Sequence, residues 1–580
     1  MRFHTLRVAA GLFVSLVFTA AGTVRYVDIT SLTPTPPYTN WATAANVIQD
    51  AVEAADPGDQ VWVTNGVYDT GGRAVYQNMT NRVAVVKPLT LLSVNGPEFT
   101  IIRGAKAAGG GNGDGAIRCV YLTNGAILSG FTLTNGATRA VFDSTTHQSG
   151  GGGLWCETTG AWVSNCVLSG NISYHWGAGS VRGTLYDSVL KNNSTGAGGG
   201  GAASSILLNC TLTGNSANVG GGAWSSMLTN CVLLGNSANS GGGGAYGALQ
   251  NCTLTGNISS GDGGGADGSV LNDCTLVGNF ASQSGGGASD GTLTRCLIVS
   301  NSASSGGGGG AIRNTQYLQN CVLIGNRASF DGGGSAGGRL GNCTVVGNSA
   351  GNGGGVSSST LSNCIVYSNI ATNAGNNHWN CTLNYSCTLP MPTNGIGNIS
   401  NAPLFVDVNG WGNLRSQSNS PCINAGRNAY VTSATDLDGN PRIQGGTVDI
   451  GAYEFQNPTS VISYAWLQQY DLLTDGSADS ADPDGDGMKN WQEWIAGTDP
   501  TNALSVFQML TPLNALSGVT VSWQSVAGTT YYLQRSTNLS VQPTFLSQQS
   551  NIVGQAGTTT YTDTNALGGG PYFYRVGLLH

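Results

Sequence analysis

Charge is what this 580-residue sequence has least of: Asp, Glu, Lys and Arg together make up 9%, against about 25% in an ordinary globular chain. The net charge is −8 and no segment collects Lys and Arg, which speaks against an electrostatic grip on nucleic acid. Only five His are present, so imidazoles for acid–base or metal chemistry are few. No apolar run after the first 21 residues reaches the ~20 residues that a membrane helix needs, so no span is expected in the mature chain. Low charge together with 40% hydrophobic residues argues against disorder. Glycine is what is abundant, with 90 residues. It follows no triplet period, which excludes collagen. Helical bundles are excluded too, because each helical Gly costs about 1 kcal/mol relative to Ala. An all-β, turn-rich, regular architecture remains.

The start reads as a secretory signal peptide, residues 1–22. Arg2 and Arg7 precede an apolar run from Val8 to Ala21, and Ala20, Ala21 and Gly22 suit a signal peptidase. The expected location is therefore extracellular or on the cell surface.

From about residue 150 to 370 one unit recurs, L-x-N-C-x-L-x-G-N-x-A-x-x-G-G-G. Its markers are Cys166, Ser188, Cys210, Cys231, Cys252, Cys274, Cys296, Cys321, Cys343 and Cys364, spaced by 22, 22, 21, 21, 22, 22, 25, 22 and 21 residues. An Asn follows each marker by five positions, from Asn171 to Asn369, and a Leu, Ile or Val follows it by two. A period of this length with alternation inside it predicts one coil of a single-stranded parallel β-helix per repeat. The Asn is expected to stack into a ladder that satisfies turn backbone. The Gly triplets mark a second turn where coils pass closely. One Cys per coil behaves as a small buried apolar residue, and in-register thiols suit a bridge poorly. Off the ladder, Cys119, Cys156, Cys381, Cys387 and Cys422 are the bridge candidates.

A solenoid needs capped ends. Residues 42–55 carry Val47, Ile48, Ala51, Val52 and Ala55 at helical spacing, which predicts a short plugging helix, and Gln60-Val61-Trp62-Val63 reads as the first strand. Together with Tyr26-Val27-Asp28, Pro57-Gly58-Asp59 and Gly66-Val67-Tyr68, this arrangement resembles the pectate-lyase-like right-handed parallel β-helix superfamily. The G-N-x-A-x-x-G-G-G repeats are similar to those of polymorphic outer-membrane proteins. Residues 403–454, with Ser420-Pro421-Cys422-Ile423-Asn424, Asp436-Leu437-Asp438-Gly439-Asn440-Pro441-Arg442 and Asp449-Ile450-Gly451-Ala452-Tyr453-Glu454, resemble the choice-of-anchor Q domain of bacterial surface proteins. These resemblances imply fold and export rather than an activity. The expected organisation is a β-helix over 23–400, a C-terminal cap over 401–456, a linker over 457–504 and a small β-sandwich over 505–580. The sandwich resembles a fibronectin type III module and is signalled by alternation around Trp523, Tyr532 and Tyr574.

One motif carries specific chemistry. Residues 482–493 fit D-x-[DN]-x-[DN]-G-x5-E. Asp482, Asp484 and Asp486 stand at positions 1, 3 and 5, the Met488 carbonyl at 7, Asn490 at 9 and Glu493 at 12. These hard oxygen donors are spaced to wrap one Ca2+. With Gly497-Thr498-Asp499-Pro500 the segment resembles a thrombospondin type 3 repeat. Asp475 and Asp479 are candidates for further ligands.

Catalysis on this fold needs clustered carboxylates, or calcium with a Lys or Arg base. The repeats carry few acids, among them Asp267 and Asp290 in neighbouring coils. Trp155, Trp224 and Tyr246 each follow a Gly run and are expected to form a sugar-stacking platform with Asp267. The interruption at residues 137–149, with Arg139, Asp143 and His147 beside Tyr174, His175 and Trp176, is where a grafted site would stand. The expected function is adhesion, glycan binding or surface structure without catalysis, with a polysaccharide or cell-surface glycan as partner. The alternative is a polysaccharide lyase or glycoside hydrolase.

Overall fold

The computed structural model describes residues 22–76, 78–312, 317–407, 410–542 and 544–579. Residues 1–21 of the expected signal peptide lie outside them. The chain is all-β with a parallel β-solenoid, and it divides into two compact units. The first is Met1–Thr292 with Val299–Gly306, and the second is Leu293–Ile298 with Gly307–His580.

In the first unit each repeat contributes one short strand to each of three parallel sheets. Trp162–Ser164, Val167–Ser169 and Leu154–Cys156 are one such set. Register is kept from coil to coil, as in Leu185↔Leu207, Leu207↔Leu228 and Leu228↔Leu249. The first sheet points Leu185, Leu207, Leu228 and Leu249 inward and the second Leu190, Leu212, Leu233 and Leu254, all at 2% exposure or less. Each such Leu contributes about 2 kcal/mol of burial. In the regular coils the third sheet gives the core small residues, Ala202, Ala223, Gly244 and Ala266, so Leu from two sides fills the space.

The turn chemistry explains the repeat. The residue before each marker is left-handed, with Asn165, Asn209, Asn230 and Asn251 at φ between 48° and 55°, and Asn tolerates that region better than most residues. The Asn side chains at this corner also connect, Asn230 Nδ2 donating to Asn209 Oδ1 at 3.2 Å and Asn251 Nδ2 to Asn230 Oδ1 at 2.8 Å. The interior Asn ladder runs from Asn171 to Asn301 in this unit, and each amide donates to the next coil and to a Leu carbonyl behind it, as Asn193 does to Asn215 Oδ1 and Leu168 O. The Gly triplets have no room for a side chain: a Cβ on Gly222 would lie 2.4 Å from the Gly243 carbonyl oxygen. Ser188 replaces Cys because the position also accepts a hydrogen bond. Its Oγ takes the Cys166 N–H at 3.1 Å, as Cys231 Sγ takes that of Cys210 at 3.4 Å.

The plugging helix is Ile48–Ala54, shorter than the expected 42–55, because Trp41–Thr43 forms a separate 3-10 turn capped by Asn40. Its Gln49 side chain acts as a piece of strand. Oε1 accepts from Ala84 N at 2.7 Å and Nε2 donates to Ala84 O at 3.3 Å, which satisfies the edge of the third sheet.

In the second unit the coils continue through Thr382–Asn384 and Cys387–Thr388. The interior ladder here joins Asn326, Asn348 and Asn369 and ends on Asn377, which lies off the five-residue rule. Described residues of the 401–456 segment pack along the outer face of the second sheet. Val322, Val346 and Ile365 point outward yet are at most 2% exposed, covered by Phe405, Leu414, Ile450 and Ala452. C-V-L-I, C-T-V-V and C-I-V-Y offer outward apolar residues for that cover and C-T-L-T does not, but C-V-L-L at 231–234 offers them too and stays open, with Val232 39% exposed. The covering segment is folded by buried carboxylates. Asp436 accepts from the backbone N–H of Asp438, Asn440 and Glu454, and Asp449 from those of Asn424 and Phe455, with Arg442 buried beside them. The D-x-D-G-N-P-R and D-I-G-A-Y-E motifs are therefore structural.

Beyond the linker helices Tyr464–Gln469 and Asn490–Ala496, two three-stranded antiparallel sheets enclose Val521, Trp523, Tyr531 and Leu533. All 14 cysteines are buried free thiols, including Cys119, Cys156, Cys381, Cys387 and Cys422. Among the described residues no helix is long and apolar enough to cross a membrane.

Candidate functional site

The loop at residues 482–493 is built by its own backbone. Asp482 Oδ1 accepts from Gly485 N at 2.8 Å and Oδ2 from Gly487 N at 3.1 Å. Asp484 and Asp486 each accept from the N–H two residues on. Gly487 turns the chain at φ 93°, and the helix Asn490–Ala496 then presents Asn490 and Glu493. The carboxylates of Asp482, Asp484 and Asp486 each place an oxygen within 4.8 Å of the others. Four buried oxygens have no hydrogen-bond partner: Asp484 Oδ2, Asp486 Oδ2, Asn490 Oδ1 and Glu493 Oε2. Glu493 is completely buried, and that burial, with Asp484 and Asp486 beside it, pushes its carboxyl up to about 7. Acceptors gathered without donors are costly, and the donor set fits one hard divalent cation. Met488 stands between them at position 7, its Sδ accepting from Phe507 N at 3.2 Å. Asp479 is not arranged as a ligand. Its two oxygens accept from Ser460 Oγ and Val461 N. Asp475 is engaged by Ser477.

The aromatic platform differs from the expectation. Trp155 is fully buried, because the interruption at 137–149 folds over it: its Nε1 donates to Thr146 Oγ1 at 3.2 Å, and Arg118 fixes the loop through His147 O at 2.7 Å. His147 stacks on Tyr76 at 3.9 Å, and Tyr121 stacks on Trp155 at 5.5 Å. The interruption is thus a cover. Glu157 beneath it accepts from Thr123, Tyr121, Asn124 and Tyr76. Burial alone would raise its carboxyl, but those hydrogen bonds outweigh burial and hold it below the usual range. Trp224 is half-buried, one face against Trp176 at 4.0 Å. Tyr246 is 57% exposed, thrown outward by a left-handed corner at φ 54°. Asp267 is only 7% exposed and accepts from Ser240 Oγ. Burial first, then Asp290 and Asp262, raises its carboxyl. It is therefore not an open sugar contact.

A pair that the sequence reading passed over is better placed. Trp162 and Tyr186, on adjacent coils of the first sheet, stack at 5.4 Å with planes 7° apart, and Trp162 is 40% exposed. Alternation was the available signal. Val163 and Leu185 are inward, so their neighbours Trp162 and Tyr186 must face out.

No protein-family model matches the chain, and no curated protein sequence matches it. Among solved structures it is similar to pectate lyase Pel9A, at 14% identity over 76% of this chain and 97% of that one with a TM-score of 0.27. It is also similar to the XylC–xylose complex, at 8% identity over 75% and 99% with a TM-score of 0.33. A third is the polygalacturonase from Erwinia carotovora ssp. carotovora, at 10% identity over 65% and 96% with a TM-score of 0.26.

Proposed function

We propose that the protein is an exported surface or secreted solenoid that binds a polysaccharide or cell-surface glycan without catalysis, and that its linker is stiffened by one Ca2+. The glycan reading is carried by the parallel, outward rings of Trp162 and Tyr186, flat apolar faces of the kind that stack on sugar rings. Binding rather than chemistry is favoured because Glu157 and Asp267 are committed to internal hydrogen bonds. The hydrolase or lyase alternative has one observation on its side, the raised carboxyl of Asp267 beside the exposed Tyr246. Calcium is supported by the four orphaned oxygens of the 482–493 loop. Export is supported by the pattern of residues 1–22.

The test is a pull-down of the mature chain on a panel of insoluble and gel-embedded polysaccharides, with product analysis of the same incubations. Retention that falls about tenfold in Trp162→Ala supports the reading. Steady release of reducing ends or unsaturated uronates overturns it.

A further inference from the structure

In the second unit a cleft of about 500 Å³ opens between residues 385–401, residues 424–426 and the helix Tyr464–Gln469. That is the size of a small-ligand site. The rings of Tyr385, Trp466 and Trp494 and the side chain of Ile399 line it, and every lining residue is uncharged. Asn424 belongs to the wall and is fully buried. Its Nδ2 donates to Ser460 O at 2.8 Å and its N–H to Asp449 Oδ1 at 2.8 Å, while its Oδ1 has no partner. These hydrogen bonds anchor this part of the wall. Indole rings offer flat apolar faces, and Asn398, Asn401 and Gln469 of the lining offer amides for hydroxyls. No lining residue carries a charge to pair with a uronate or phosphate, and the neighbouring Arg427 is engaged by the Tyr385 hydroxyl and by the rings of Tyr385 and Tyr430.

The cleft also adjoins the metal loop. Trp494 stands on the seven-residue helix Asn490–Ala496, next to Glu493 and four residues after Asn490, two of the residues whose oxygens are orphaned. Drawing Asn490 and Glu493 onto a cation fixes the helix, and with it the Trp494 wall.

We infer that this cleft binds the end of an uncharged saccharide, and that the metal state of the 482–493 loop sets its Trp494 wall. The coupling rests on the calcium reading, but the saccharide site does not.

The experiment uses the full mature chain with calcium or with a chelator, titrated by tryptophan fluorescence and calorimetry. The probes are xylobiose, cellobiose, lactose, mannobiose and chitobiose, with digalacturonate as the charged counterpart. At least one neutral disaccharide is expected to bind saturably and digalacturonate is not. Trp466→Ala is expected to weaken binding about tenfold. Met391→Trp, a substitution at an exposed residue of the cleft wall, is expected to block binding without touching the core. No saturable neutral binding to the calcium-loaded chain, or unchanged affinity in both variants, overturns the site. Affinity that is the same after chelation overturns the coupling. A flat calcium titration overturns the calcium reading and leaves the saccharide result to stand by itself.

Discussion

Asn215 and Asn236 are joined twice: Asn236 Oδ1 accepts from both the backbone N and the Nδ2 of Asn215, each at 3.0 Å. Asn236 in turn donates to Leu212 O and Asn257 Oδ1. Replacing Asn236 by Ala strands donors and acceptors in three coils. A loss of roughly 3 kcal/mol or more is expected, with amide exchange accelerating over residues 210–260 while the β-sandwich stays protected. Global protection unchanged in that segment would show that the ladder is not what holds the coils.

Two Val-or-Ile positions on the outer face of the second sheet make a matched pair. Ile365 is 2% exposed under the 401–456 segment and Val232 is 39% exposed. Ile365→Ala is expected to cost about 2–4 kcal/mol and to make residues 401–456 sensitive to protease. Val232→Ala is expected to stay within about 0.5 kcal/mol. Equal effects in thermal denaturation would contradict the lateral placement.

Calcium is expected to protect the chain from proteolysis near residue 490, with an affinity of about 0.1–1 mM. Asp484→Ala removes a carboxylate from the orphaned set, and cleavage that no longer responds to calcium is the expected result. Full protection in that variant would remove Asp484 from the site.

Arg442, Asp449 and Glu454 are all at most 5% exposed. Burial, then Asp436, pushes Asp449 up to about 7 against the pull of its backbone hydrogen bonds and Arg442, and burial with Asp449 raises Glu454. Both carboxyls are higher in the fold than in the unfolded chain. Their contribution is therefore full below the unfolded value near 4 and is lost as pH rises through about 7 and above. The second unit is expected to lose stability from about pH 4 up to about 9, and Glu454→Gln to flatten that slope. Chemical denaturation along a pH series reads it directly.

The 14 buried thiols are expected to stay silent to an aromatic disulfide reagent in the native chain and to react fully in denaturant. Burial raises Cys119, pushed up to about 12, and Cys156, where Arg118 and Arg182 pull only weakly the other way. A shortfall after denaturation would reveal bridges.

The repeat positions were legible because each rests on a local rule. A Leu two residues after the marker must point inward, and an Asn five residues after it must satisfy a turn. The acidic turn at 482–493 was legible for the same reason, its three Asp lying within five residues of one another. The burial of Trp155 was not legible in this way, because it depends on a loop 6 to 18 residues earlier folding back over the ring. Asp479 stands at ligand-like spacing in the sequence, but Ser460 and Val461, 19 and 18 residues earlier, occupy its oxygens.

The sequence by itself determined that the chain coils, how long each coil is and which residues face the core, because strand alternation and stacking register are short-range constraints. It also placed six oxygen donors at metal-binding spacing. Only the tertiary structure decided which outward residues stay outward. Val322, Val346 and Ile365 are covered by a segment far along the chain, Trp155 is covered by an insertion, and Trp162 and Tyr186 are left open. Exposure is a property of what else folds against a face, and contacts between distant segments depend on the whole chain rather than on any repeat of it.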